Sequence, residues 1–179
     1  MIELILKTIW LLLPAYTPNN FAVVFGGGRP IDFGRKFIDG RRILGDGKTF
    51  RGFTGGVIGG IFIGIIQYSI EKIFKIHIFT SLQFRDFLIL IFLLAFGSML
   101  GDSIGSFIKR RLGYERGSRL LLIDQLTFLI FALLVASRFS PFWILFNWEV
   151  ILLSLILTPF LHLSVNYIAY KLNLKEVPW

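Results

Sequence analysis

Five long apolar stretches constrain this chain more than any other feature of its sequence. They run from Ile2 to Phe25, Phe53 to Phe74, Phe84 to Ile108, Leu120 to Ala136 and Val150 to Leu172. Each is near the ~20 residues a helix needs to cross about 30 Å of hydrocarbon at about 1.5 Å per residue. With 55% hydrophobic residues, twenty Phe and a mean hydropathy of +0.72, the chain is too apolar for an ordinary soluble surface. The expectation is an all-α integral membrane protein, with residues 1–179 forming one transmembrane domain of five helices.

The basic residues set the orientation. Fourteen of the 19 Lys and Arg fall in the segments after spans one and three or at the C-terminus, including Arg29, Arg35, Lys36, Arg41 and Lys171. Lys7, Lys72, Lys75, Arg85 and Arg138 are left for the other side. The positive-inside tendency then places the N-terminus outside and the C-terminus in the cytoplasm, with two functional cytoplasmic loops at residues 26–52 and 109–119. The same tendency accounts for most of the net charge of +8, and no recognition module accompanies it, so nucleic acid is not expected as a partner. Met1 to Leu13 lacks a charged leader region and a small-residue cleavage site, and reads as a retained span. The absence of cysteine removes disulfides, thiolate metal sites and thiol catalysis.

Polar residues inside apolar runs mark candidate function, because a carboxylate at membrane depth costs about 3 kcal/mol or more on insertion scales. Asp102 ends the third run, Lys109, Arg110 and Arg111 follow it, and Asp124 with Gln125 opens the fourth. Asp102, Ser106 and Lys109 or Arg110 share one helix face. The plainer readings are a buried ion pair for Asp102 and a helix-dipole partner for Asp124. Span one is broken at Pro14 and at Thr17-Pro18-Asn19-Asn20, either as a simple kink or as the polar wall of a pocket at Asn19 and Asn20. His77 and His162 read as structural, Trp143 and Trp148 as interface aromatics, and Asn166 as a weak pocket candidate.

The loop before span two contains Gly45-Asp46-Gly47-Lys48-Thr49. It is not a Walker A motif, since Arg42 stands where that motif needs glycine and no strand precedes it. Its glycines and its Lys48, Thr49 and Arg51 still suit phosphate contact, beside the plainer reading of a topology-setting basic loop. Glycines recur every four residues at Gly56, Gly60 and Gly64 and at Gly97, Gly101 and Gly105. That spacing predicts that spans two and three pack closely on each other, bringing the loop ending at Arg51 beside Asp102. Two carboxylates suit Mg²⁺ and the surrounding cations suit a polyphosphate, so the residues alone point to phosphoryl or nucleotidyl transfer at the membrane face.

Gly101-Asp102-Ser103, Ser106, Lys109-Arg110, Gly113 and Asp124-Gln125 resemble the signature of membrane CTP-dependent phosphatidate cytidylyltransferases. Adding Pro14-Ala15-Tyr16, Asn19, Asn20, the run from Gly26 to Asp32 and the run from Asp39 to Thr49, the chain resembles the archaeal CDP-archaeol synthases over most of Pro14 to Gln125. It departs from the bacterial and eukaryotic pattern at Glu115-Arg116 and Leu120-Leu121-Leu122. The resemblance implies transfer of CMP from CTP to the phosphate of 2,3-di-O-geranylgeranylglyceryl phosphate, an isoprenoid ether lipid, with release of pyrophosphate. It implies Asp102 and Asp124 as Mg²⁺ ligands, with Lys109 completing the catalytic set. Lys48, Thr49, Arg51, Ser106 and Arg110 then serve as phosphate-side contacts, and Asn19, Asn20, Arg42 and Asp46 as nucleotide contacts. A homo-oligomer is compatible with the sequence. The alternatives are a CDP-alcohol phosphotransferase, faintly suggested by Asp39-Gly40-Arg41, and a non-enzymatic membrane scaffold or cation pathway.

Overall fold

The structure is a computed structural model that describes residues 1–115, 118, 120 and 122–171, with only the backbone for Val165, Asn166 and Ala169. Arg116, Leu121 and the Asn166 side chain, named above, and the basic residues Arg119 and Lys175 lie outside the described residues. The helices are α1 (Ile2–Tyr16), α2 (Pro18–Val24), α3 (Phe50–Phe74), α4 (Phe84–Arg111), α5 (Ile123–Ala136), the short α6 (Phe142–Leu145) and α7 (Trp148–Lys171). Among the described residues β pairing is limited to two isolated bridges, Pro30 with Thr49 and Lys36 with Arg42.

Composition explains the bundle. By length and composition α3 and α4 are each long and apolar enough to cross a membrane, and α5 and the Trp148–Ser164 part of α7 are shorter apolar helices. At 28 residues, α4 extends about 42 Å. It is the hub, touching α1, α2, α3 and α5, while α7 packs on α5 and α1. The core joins Leu11 and Leu12 of α1 to Leu90, Ile91 and Leu94 of α4 and to Phe128, Leu129 and Ala132 of α5. Outward, Ile58, Phe62, Ile73, Leu152, Ile156 and Phe160 are exposed, an apolar exterior that fits hydrocarbon.

Several polar side chains between helices are satisfied by a neighbour, as a low dielectric favours. Ser98 Oγ donates to the Ala15 carbonyl at 2.7 Å, and the Tyr16 and Thr158 hydroxyls share a 2.8 Å hydrogen bond. At the end of α3, fully buried Glu71 accepts from Trp10 Nε1 at 2.7 Å and from the backbone N–H groups of Ile78, Phe79 and Thr80. One carboxylate thereby ties α1 to the turn between α3 and α4.

The break between α1 and α2 falls at Thr17, whose hydroxyl donates to the Leu13 carbonyl at 2.8 Å. Pro18 occupies the first turn of α2, where its missing N–H costs nothing. The α3 glycines make room for this break. A Cβ on Gly60 would lie 2.7 Å from the Pro14 carbonyl oxygen and 2.7 Å from Ala95 Cβ, so the α3 stripe serves α1, α2 and α4 together. The α4 stripe behaves otherwise than the sequence spacing predicts. Gly97, Gly101 and Gly105 face α5, against Ala132, Phe128 and Thr127, and not α3. Four-residue spacing creates a smooth helix face without specifying which helix occupies it.

Candidate functional site

The loop from residue 26 to 49 has almost no regular structure, so its shape must come from side chains. Asp32 supplies it. Its fully buried carboxylate accepts from Arg42 Nη2 at 2.8 Å and from the N–H groups of Gly45 at 2.9 Å, Leu44 at 3.0 Å and Gly34 at 3.1 Å. Burial alone would raise the Asp32 pKa, but the Arg42 guanidinium and these three N–H groups hold it well below the usual carboxylate range. Arg42 is correspondingly raised by Asp32 and then by Asp46, which it meets at 2.7 Å.

A pH dependence follows. A depressed pKa contributes stability that is complete above the unfolded value of about 3.9 and disappears as pH falls through the folded value. Replacing Asp32 with Asn should therefore lower the melting temperature equally at pH 7 and pH 5, with the gap to the parent closing only below about pH 4. Thermal melts in detergent across that range check it.

The loop is fastened to the end of α4. Arg111 pairs with Asp39 at 2.6 Å and lies over the rings of Phe37 at 4.8 Å and Phe107 at 5.0 Å. Arg41 donates back to the Arg111 carbonyl at 3.0 Å, and Arg110 Nε to the Leu44 carbonyl at 3.4 Å. These bonds present Asp46, Gly47 and Lys48 to the interior. There Lys48 Nζ pairs with Asp102 of α4, and Lys109 Nζ pairs with Asp124 of α5 at 2.6 Å.

Both pairs line one cavity of about 680 Å³, with Asn19, Asp46, Thr49, Ser103, Ser118 and Gln125 among its polar walls. Ala22 and Val23 of α2, Phe53, Met99 and Leu163 form an apolar side. The volume lies within the about 300–1,000 Å³ common for small-molecule sites. Of the candidate residues, Asp102, Asp124, Lys109, Lys48, Thr49, Asp46 and Asn19 come together here. Thr49 also caps α3, its Oγ1 accepting from Gly52 N–H at 3.1 Å.

The others lie elsewhere. Asn20 is exposed, Ser106 is buried outside the lining, and Arg42 and Arg110 brace the loop. Arg51 borders a separate groove with Phe25, Thr54, Gly55 and Ile58. Ser103, Ser118 and His162 line the cavity without having been singled out as candidates. A signal existed for His162, a polar residue inside an apolar run.

The donor set fits a hard divalent cation. Among the described residues no cluster of three or more His, Cys, Asp or Glu side chains occurs, so a metal here would rest on two carboxylates and oxygens from elsewhere. Mg²⁺ accepts such sets, usually one or two carboxylates with substrate phosphates and water. Asn19, which also lines the cavity, has a buried Oδ1 with no hydrogen-bond partner among the described residues.

Fold and cavity together define a class: an all-helical membrane protein enclosing a charged pocket that opens onto apolar walls. Over residues 1–179 the sequence matches the family profile described as CarS-like, CDP-archaeol synthase. The CDP-archaeol synthase of Archaeoglobus fulgidus is 66% identical over 179 residues, covering 100% of both chains. That of Methanocaldococcus jannaschii is 44% identical, covering 99% of this chain and 98% of its own. A solved structure described as an intramembrane enzyme for archaeal membrane lipids biosynthesis superposes with a TM-score of 0.74 at 35% identity, covering 90% of this chain and 94% of that one. The chain belongs to the CDP-archaeol synthase family.

Proposed function

We propose that the cavity transfers CMP from CTP to the phosphate of 2,3-di-O-geranylgeranylglyceryl phosphate, giving CDP-archaeol and pyrophosphate at the cytoplasmic face of a five-span membrane domain. The observation that carries this reading is the meeting of two Lys–Asp pairs and the buried Asn19 oxygen in one cavity with an apolar side. Family membership supports the lipid-nucleotide product, and the clustering of basic residues supports the cytoplasmic orientation.

The lipid phosphate is itself the nucleophile. Its oxygen forms a bond to the α-phosphorus of CTP as the bond to the bridging oxygen breaks and pyrophosphate departs, so no protein nucleophile is required. The chain's task is alignment and charge neutralisation. In this reading Lys48 and Lys109 hold the phosphates, Asp46 and Asn19 meet the nucleotide, and Val23, Phe53, Met99 and Leu163, which line the same cavity, take the first carbons of the lipid. Asp102 and Asp124 would hold Mg²⁺, which supplies Lewis-acid charge to the phosphates when bound.

The test is an assay of purified protein with CTP and the ether-lipid phosphate, with and without Mg²⁺, and with ordinary phosphatidate in parallel. The expected result is pyrophosphate and CDP-lipid in equal amounts, dependent on Mg²⁺ and faster with the ether lipid. Release of CMP from a supplied CDP-lipid, without pyrophosphate from CTP, would instead indicate a phosphotransferase.

A further inference from the structure

Each carboxylate in the cavity already has a cation against it. Asp102 is held by Lys48, whose side chain is 23% exposed, and Asp124 by Lys109, which is 15% exposed. The lysines come from separate elements, one from the loop before α3 and one from the last turn of α4. Asp102, Asp124, Lys48 and Lys109 together sum to zero charge. A divalent cation taking those carboxylate oxygens must displace both ammonium groups, leaving the four residues and the ion with a net charge of +2. The four side chains are only 15–27% exposed, so that excess is incompletely screened and parting each pair carries a modest cost. A polyphosphate removes the cost, because the freed ammonium groups then have anions to meet.

We infer that Lys48 and Lys109 are exchangeable counter-ions: they occupy Asp102 and Asp124 in the resting cavity and pass to the nucleotide's phosphates when a divalent metal takes the carboxylates. Metal and CTP therefore bind cooperatively, and the metal binds weakly alone. This rests on the reading of the cavity as a CTP site. By linkage, the factor by which the metal tightens CTP equals the factor by which CTP tightens the metal. The pairs also keep two carboxylates from repelling each other in the empty enzyme.

The experiment uses the full chain in detergent without lipid acceptor, so that nothing turns over. Labelled CTP binding is measured by equilibrium dialysis with and without Mg²⁺, and Mn²⁺ binding without nucleotide by electron paramagnetic resonance. In the parent protein Mg²⁺ should tighten CTP by about 5–150-fold, the usual span of coupling between sites. Lys48→Met and Lys109→Met should each bind Mn²⁺ alone at least about fivefold more tightly than the parent, and the gain in CTP affinity from Mg²⁺ should shrink. Lys48→Arg, which keeps the charge, should leave Mn²⁺ binding weak. A misfolded variant loses metal affinity, so tighter binding cannot arise from damage. Met variants that melt like the parent and bind Mn²⁺ no more tightly would overturn the exchange. Parental CTP affinity indifferent to Mg²⁺ would overturn it independently of any variant. A parent that binds no CTP under either condition would instead remove the CTP site itself.

Discussion

Asp102→Asn is expected to lower CTP-dependent pyrophosphate release by about a thousandfold, the scale seen when one group that stabilises developing charge is removed from an active site. The substitution keeps the shape of the side chain and removes its charge. Lys48 loses its ion pair, but both side chains are about a quarter exposed, so the stability cost is modest, about 1 kcal/mol. Pyrophosphate release and a thermal melt on the same preparation separate the two effects. A folded Asn variant with parental activity would exclude Asp102 from the proposed metal site.

Gly101→Ala should be comparably severe by a different route. An added Cβ would collide with the Thr127 carbonyl oxygen and lie 2.7 Å from Phe128 Cα, both atoms of α5 backbone that cannot rotate away. The helices must separate, at about 1–3 kcal/mol. Separation also displaces Asp102, the next residue on α4, from Asp124 on α5, and a misplacement of about 1 Å can cost about a hundredfold in rate. Gly105→Ala provides the control. Its new Cβ would meet the Thr127 hydroxyl at 2.6 Å, a side-chain atom, at the expense mainly of that hydroxyl's bond to the Ile123 carbonyl. Melting temperature and turnover should both rank parent, then Gly105→Ala, then Gly101→Ala.

Much of the site could be read from the sequence because its chemistry conflicts with its surroundings. Asp102 and Asp124 stand out against apolar runs, and Lys48 and Asn19 stand beside glycine and proline that interrupt regular structure. The bracing of the loop could not be read in the same way. Asp32 gathers donors from residues two to thirteen positions away, a pattern set by the folded path of a loop without period. For the same reason Arg42 and Arg110, which resemble free cations in the sequence, are committed to Asp32 and to the Leu44 carbonyl. The α4 glycines announced a close neighbour but not its identity, and α5 took the place expected for α3. His162 reaches the cavity from α7, more than a hundred residues from Lys48, a juxtaposition that only the packing of the bundle creates.

The fastening of the loop at Arg111 has a practical consequence. The interactions that seat Lys48 opposite Asp102 run through Asp39, Arg41, Phe37 and Phe107, all supplied by the polypeptide. A candidate site that carries its own scaffold is expected to tolerate a change of solvent around the helices. The spacing of Lys48 and Asp102 is therefore expected to be the same in micelles as in a bilayer, which distance measurements between spin labels on the loop and on α4 would check.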